Sequence, residues 1–210
     1  MKDTTEIVVV MDKSGSMHLR ASDAIGGFNS FLEEQKKEPG EANLTLVLFD
    51  TTYSIPVSGK PIKEVEPLTA HTYQPGGNTA LNDALARAVV ETHARLADMP
   101  EKDRPEKVIC VVITDGEENS SVEHTKTQVK LLVQHHEEKH DWAFIYLGIG
   151  VDAFAEARQV GIPADYVAHS FAGAGAMRTV YGATSDAVSE VRRGGKKALV
   201  NSKWKDKVQS

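Results

Sequence analysis

The sequence predicts an α/β fold: a doubly wound, mostly parallel six-stranded sheet with one short antiparallel edge strand and helices on both faces. Three observations predict it. Unbroken apolar runs at residues 7–11, 108–113 and 143–147 suit central strands covered on both faces. Each run stops at a cluster of turn-forming residues. Stretches of helical period separate the runs, most clearly after Ala80.

The first run ends at Asp12-Lys13-Ser14-Gly15-Ser16, and a helix is expected from about Ser22, its N-cap, with Ile25, Phe28 and Leu32 as the buried stripe. Pro39-Gly40 closes that helix. A second strand, 43–49, alternates Leu44, Leu46 and Leu48 with Thr45 and Val47. After the polar link 50–52 a strand at 53–57 pairs with it as a hairpin. A connection with Pro61, Pro67, Pro75 and Gly76-Gly77 follows, long enough to suggest function. Leu81, Ala84, Leu85, Ala88 and Val89 then match one helix face. Val129, Leu132 and Val133 give the next helix its apolar side. A short helix at 152–160, a strand at 166–169 and a last helix from about Ala174 to Arg193 complete the domain, expected to span 1–194. Residues 195–210 read as a basic, flexible tail, in which Trp204 is a candidate docking anchor.

Charge and composition narrow the function. The chain has 210 residues and a formal charge of −6. The tail holds five lysines against one aspartate, Asp206, so the remainder sums to −10. A globule this acidic repels nucleic acid, whose phosphates select positive surfaces. The lone Cys110 forms no intrachain disulfide and sits in an apolar run, as a small core residue does. No apolar stretch approaches the roughly 18 residues of a membrane span, and residues 7–11 are too short for a signal peptide's apolar region. The reading is a cytoplasmic protein, monomeric by itself.

Chemistry concentrates where strands end. Asp12-x-Ser14-x-Ser16 follows the first strand, Gly76-Gly77-Asn78-Thr79 precedes the strongest helix, and Thr114-Asp115-Gly116 follows the strand at 108–113. In a parallel sheet these three loops share one edge. They offer two carboxylates and three hydroxyls without imidazole or thiolate, an all-oxygen set that suits a hard cation such as Mg²⁺, with Mn²⁺ or Ca²⁺ as substitutes. Two acids and three neutral hydroxyls leave such an ion one position short, which a partner's Glu or Asp can fill.

The three motifs, their order and their spacing resemble the metal-ion-dependent adhesion site of von Willebrand factor A domains, a Rossmann-like family. The resemblance extends from about residue 5 to residue 193 and fits the intracellular bacterial and phage type. It implies that Asp12, Ser14, Ser16, Thr79 and Asp115 are the metal ligands, that the chain is a protein-binding module rather than an enzyme, and that partner binding can shift the last helix. The rival readings are a Mg²⁺-dependent phosphohydrolase and a scaffold with a vestigial site. Lys13 is expected to turn away from the ion.

Other residues attract plainer readings. Glu117 and Glu118 are read as a solvated acidic loop, and His135, His136 and His140 as a solvated helix face, since no partner motif stands beside them. His18 and His71 are rim candidates. Asp83 meets its helix dipole. Gly148-x-Gly150 lacks the third glycine of a dinucleotide loop, and Gly26-Gly27 is expected to permit close helix–sheet approach.

Overall fold

A computed structural model of the chain describes residues 4–171, 173, 175–201, 203–205 and 208. Among them, six strands form one sheet in the order β3-β2-β1-β4-β5-β6. These are β1 (Thr4–Asp12), β2 (Glu41–Phe49), β3 (Tyr53–Pro61), β4 (Lys107–Thr114), β5 (Ala143–Ile149) and β6 (Val167–Ser170). Only the β2–β3 pair is antiparallel. The helices are α1 (Ala21–Lys37), α2 (Leu81–Asp98), α3 (Lys126–Lys139), α4 (Ala153–Gln159), α5 (Ala176–Gly194) and α6 (Lys197–Asn201).

Two apolar layers cover the sheet, and strand alternation assigns side chains to each. Ile7, Val9 and Met11 of β1 join Phe28, Leu32, Val180 and Val188 from α1 and α5. Val8 and Val10 face Leu81, Leu85, Val89, Val129 and Val133 from α2 and α3. Every residue of β1, β4 and β5 except Lys107 is buried. At roughly 25 cal/mol per Å² of apolar surface, this double layer is the fold's main stabilising term.

Chain order decides where the site forms. From β1 the chain moves outward through α1 to β2 and β3, then returns through α2 to β4 on the other flank. The carboxyl ends of β1 and β4 therefore bound the crevice where the strand order reverses, the usual ligand position in open α/β sheets.

Four expectations need correction. The first helix starts within a residue of the expected place, but its N-cap is Arg20 rather than Ser22: a 3₁₀ turn, Gly15–Arg20, runs directly into α1 at Ala21, whose N–H bonds the His18 carbonyl. Fully buried Met17 draws that turn against the core. The edge strand β3 is not short; it matches β2 in length, with register shifts along the pair. Gly27 serves helix–helix rather than helix–sheet approach, because a Cβ there would lie 2.2 Å from Tyr181 Cδ2 on α5. The fourth is Trp204, which is no free anchor. Among the described residues past Gly195, Leu199, Trp204 and Val208 are buried in the layer under α1 and α5. Burying an indole outweighs leaving it in water, while Lys203 beside it stays exposed. The expected helix start at Ala174 and the tail residues Asp206 and Lys207 lie outside the described residues.

Candidate metal centre

The five sequence-predicted ligands come from three loops, and backbone hydrogen bonds lock those loops together. Gly15 N–H donates to the Gly77 carbonyl (3.0 Å) and Gly76 N–H to that of Lys13 (2.8 Å). Gly77 sits at φ +68°, which a side chain rarely adopts, so glycine permits this crossing. Thr79 N–H donates to Asn119 Oδ1 (2.9 Å) while Asn119 N–H returns to the Thr79 carbonyl (3.0 Å), which joins the second loop to the third. Below them, the buried Tyr73 hydroxyl donates to the Asp12 carbonyl at 2.6 Å.

On this frame the oxygens converge. Asp12 is fully buried; its Oδ1 accepts the Ser14 N–H (2.6 Å) and its Oδ2 the Thr114 hydroxyl (2.5 Å). Ser14 Oγ lies 3.1 Å from Ser16 Oγ, and the Ser16 hydroxyl donates to Asp115 Oδ1 at 2.5 Å. A Cβ added to Gly116 would stand 2.8 Å from Thr79 Oγ1 and 3.7 Å from Asp12 Oδ2. Glycine at 116 therefore keeps open the space that Thr79 and Asp12 share. Burial pushes the Asp12 carboxyl above its ordinary value against the pull of Thr114 and Ser14, and neighbouring Asp115 pushes the same way.

These separations fit the implied cation. Oxygens bonded to Mg²⁺ at 2.0–2.1 Å occupy octahedral vertices about 2.9 Å apart. The Ser14–Ser16 and Ser16–Asp115 separations of 3.1 and 2.5 Å bracket that edge.

One basic group stands at the centre that the sequence reading missed. Arg20 Nη1 pairs with Asp115 Oδ2 at 2.8 Å. It lies eight residues beyond Asp12, and only the 3₁₀ turn brings it back, so no local motif announces it. Lys13, by contrast, does turn away and pairs with Asp50 at the end of β2.

Glu118 is not a solvated acid. Its Oε2 accepts the Asn82 N–H at 2.7 Å, and its Oε1 accepts those of Ser120 (3.0 Å) and Ser121 (2.8 Å), so it closes the start of α2. Glu117 is exposed, as expected. Asp83 does more than meet a dipole: its carboxylate accepts the N–H groups of Val122 (2.7 Å) and His124 (2.7 Å), which pins the third loop to α2. Those bonds outweigh partial burial and hold Asp83 below the usual carboxylate range. His18 and His71 are exposed. Gly148 is a packing residue, since a Cβ there would meet Ala153 Cβ at 2.6 Å. The His135 group differs from its expected solvated face, for His136 is buried and His93 of α2 joins it.

Comparison with known proteins follows the same lines. The model of the von Willebrand factor type A domain matches residues 6–179. No curated protein matches the chain. Among solved structures it is similar to proximal thread matrix protein 1 of the mussel byssus with a zinc-occupied MIDAS motif (TM-score 0.53, 19% identity, 93% of this chain and 46% of that one). The ArnB paralog VWA2 from Sulfolobus acidocaldarius is alike at TM-score 0.53 and 16% identity, over 84% and 44% of the two chains. A von Willebrand factor type A protein from Catenulispora acidiphila gives 0.55 and 15%, over 93% and 42%. The chain thus spans less than half the length of each. No helix among the described residues is long and apolar enough to cross a membrane. With the family model matching most of its length and the fold shared, the chain belongs to the von Willebrand factor type A domain family.

Proposed function

We propose that this domain is a metal-dependent protein-binding module. Ser14, Ser16 and Thr79 offer hydroxyls and Asp12 and Asp115 carboxylates, direct or through water, to one Mg²⁺. When bound, the ion supplies an open coordination position for an acidic side chain of a partner protein. The convergence of five oxygen donors from three separate loops carries the reading.

The surface around the site supports a protein as the ligand. Leu19 follows β1, Val122 follows β4 and Phe171 follows β6, and they are 92%, 91% and 83% exposed. Leu19 stands on the 3₁₀ turn and the other two on loops, each past the carboxyl end of its strand. Exposed apolar side chains on the same edge as a polar centre suit a protein interface, where apolar contact supplies affinity and the charged pair supplies register. Leu19 also sits beside Arg20, so a partner touching one meets the other.

The reading is of a binder without turnover. Arg20 is the feature that a phosphohydrolase would share, as a clamp on phosphoryl oxygens. Asp12, however, is bound on both oxygens by Ser14 and Thr114 and is poorly presented as a nucleophile. Two assays test the proposal. A partner should be retained from the lysate of the source cells with Mg²⁺ and lost with a chelator or with Asp12→Ala. A generic phosphate ester should be hydrolysed no faster by the native protein than by Asp12→Ala. Chelator-independent capture, or Asp12-dependent hydrolysis, contradicts it.

A further inference from the structure

A second constellation lies away from the oxygen centre, between α2 and the carboxyl end of α3. His136 and His140 stand one turn apart on and just past α3, and His93 approaches them from α2. One ring nitrogen from each of the three lies within 4.8 Å of the other two. The ring centroids are 5.0 Å (His93–His136), 4.6 Å (His93–His140) and 5.2 Å (His136–His140) apart. We propose that His93, His136 and His140 form a second metal site, selective for a borderline divalent ion of the zinc class.

His136 carries the argument. It is 5% exposed, and its Nδ1 lies 2.8 Å from the Leu132 carbonyl. A carbonyl only accepts, so Nδ1 bears the proton and Nε2 keeps its lone pair. That Nε2 is buried without a hydrogen-bond partner. A ligating histidine is held this way, with one nitrogen fixed by a backbone acceptor and the other free for the ion. The competing reading is aromatic packing, for His136 lies 4.8 Å from the buried Trp142 ring. Packing explains the ring's position but leaves the buried lone pair unanswered.

Three further observations agree. Zinc bonds to imidazole nitrogen at about 2.0–2.1 Å, which spaces tetrahedral ligands roughly 3.3 Å apart, so these side chains close on an ion by modest rotation. The site sits at the carboxyl end of α3, where the helix dipole favours a cation. His140 is exposed, so the site opens to solvent and leaves a fourth position for water. The bound ion would staple α2 to α3, the helices whose first turns flank the third loop of the oxygen centre.

The two centres prefer different ions, imidazole suiting zinc and hard oxygens suiting magnesium. The test therefore titrates Zn²⁺ into untagged, chelator-stripped protein carrying Asp12→Ala, with the native protein in excess Mg²⁺ as a parallel should that variant fold poorly. One equivalent of zinc should bind, with affinity falling at least about tenfold in His93→Gln and in His140→Gln. Co²⁺ should give the intense visible absorption of nitrogen ligation at an open site, not the faint bands of an oxygen octahedron. Zinc uptake unchanged by both histidine substitutions, or abolished by Asp12→Ala and by excess Mg²⁺, overturns the proposal.

Discussion

Arg20 Nη1 lies 2.8 Å from Asp115 Oδ2, while the other oxygen of that carboxylate accepts the Ser16 hydroxyl. The Asp115 side chain is 1% exposed and that of Arg20 28%, so the guanidinium reaches down from the rim onto a buried acid. It supplies a positive charge beside an acid assigned to a cation. An ion held as proposed would therefore compete with the arginine for Asp115.

Arg20→Gln keeps a hydrogen-bond donor but removes the competing charge. Charge-assisted bonds of this kind contribute about 1.5–3 kcal/mol. The variant is expected to bind Mn²⁺ about tenfold more tightly than the native protein, with a stronger dependence on ionic strength, since the site it leaves is more negative. Isothermal titration measures both.

Asp83 acts on the centre without touching it. Removing the carboxylate that holds the Val122 and His124 amides frees the third loop from α2. Asp83→Ala should cost about 1–3 kcal/mol in urea unfolding. It should also weaken metal binding, since Asp115 and Gly116 ride on the freed segment.

The contact between Gly27 and Tyr181 sets the spacing of α1 and α5. The Tyr181 hydroxyl also lies 3.2 Å from Met11 Sδ, just behind Asp12. Gly27→Ala forces a methyl into the ring and should destabilise by about 1–3 kcal/mol, the usual cost of overpacking. A lowered Tm by circular dichroism checks it, and Gly26→Ala, where a Cβ meets nothing within 4 Å, should leave the Tm unchanged or raised.

Trp204 joins the last segment to the core. Trp204→Ala should cost about 3–5 kcal/mol, as large aromatic truncations do. Truncation after Gly195 should lower the Tm comparably. An unchanged Tm in both would mean that the segment lies free.

The sheet was legible because central strands of an α/β domain are continuous apolar runs rich in β-branched or aromatic residues, and 7–11, 108–113 and 143–147 leave little else to be. The common placement of the five candidate donors was legible because each sits within a few residues of a strand end or helix start, and strand direction alone assigns those positions to one edge. Arg20, Glu118 and His93 were not, because their roles depend on distances across the chain. A 3₁₀ turn folds Arg20 back over Asp115, Glu118 reaches the amides of α2, and His93 meets α3 from another helix. Trp204 misled for a related reason. Its basic neighbours read as a solvated tail, whereas one buried indole decides where the segment lies.

Titration of Mg²⁺ into the native protein, Thr79→Val and His93→Gln tests the central assignment most directly. Thr79 is 3% exposed, and valine replaces its hydroxyl at nearly constant shape. One magnesium should bind the native protein and His93→Gln alike, with affinity at least about tenfold lower in Thr79→Val. Equal binding by all three proteins, or no binding by the native chain, contradicts the assignment.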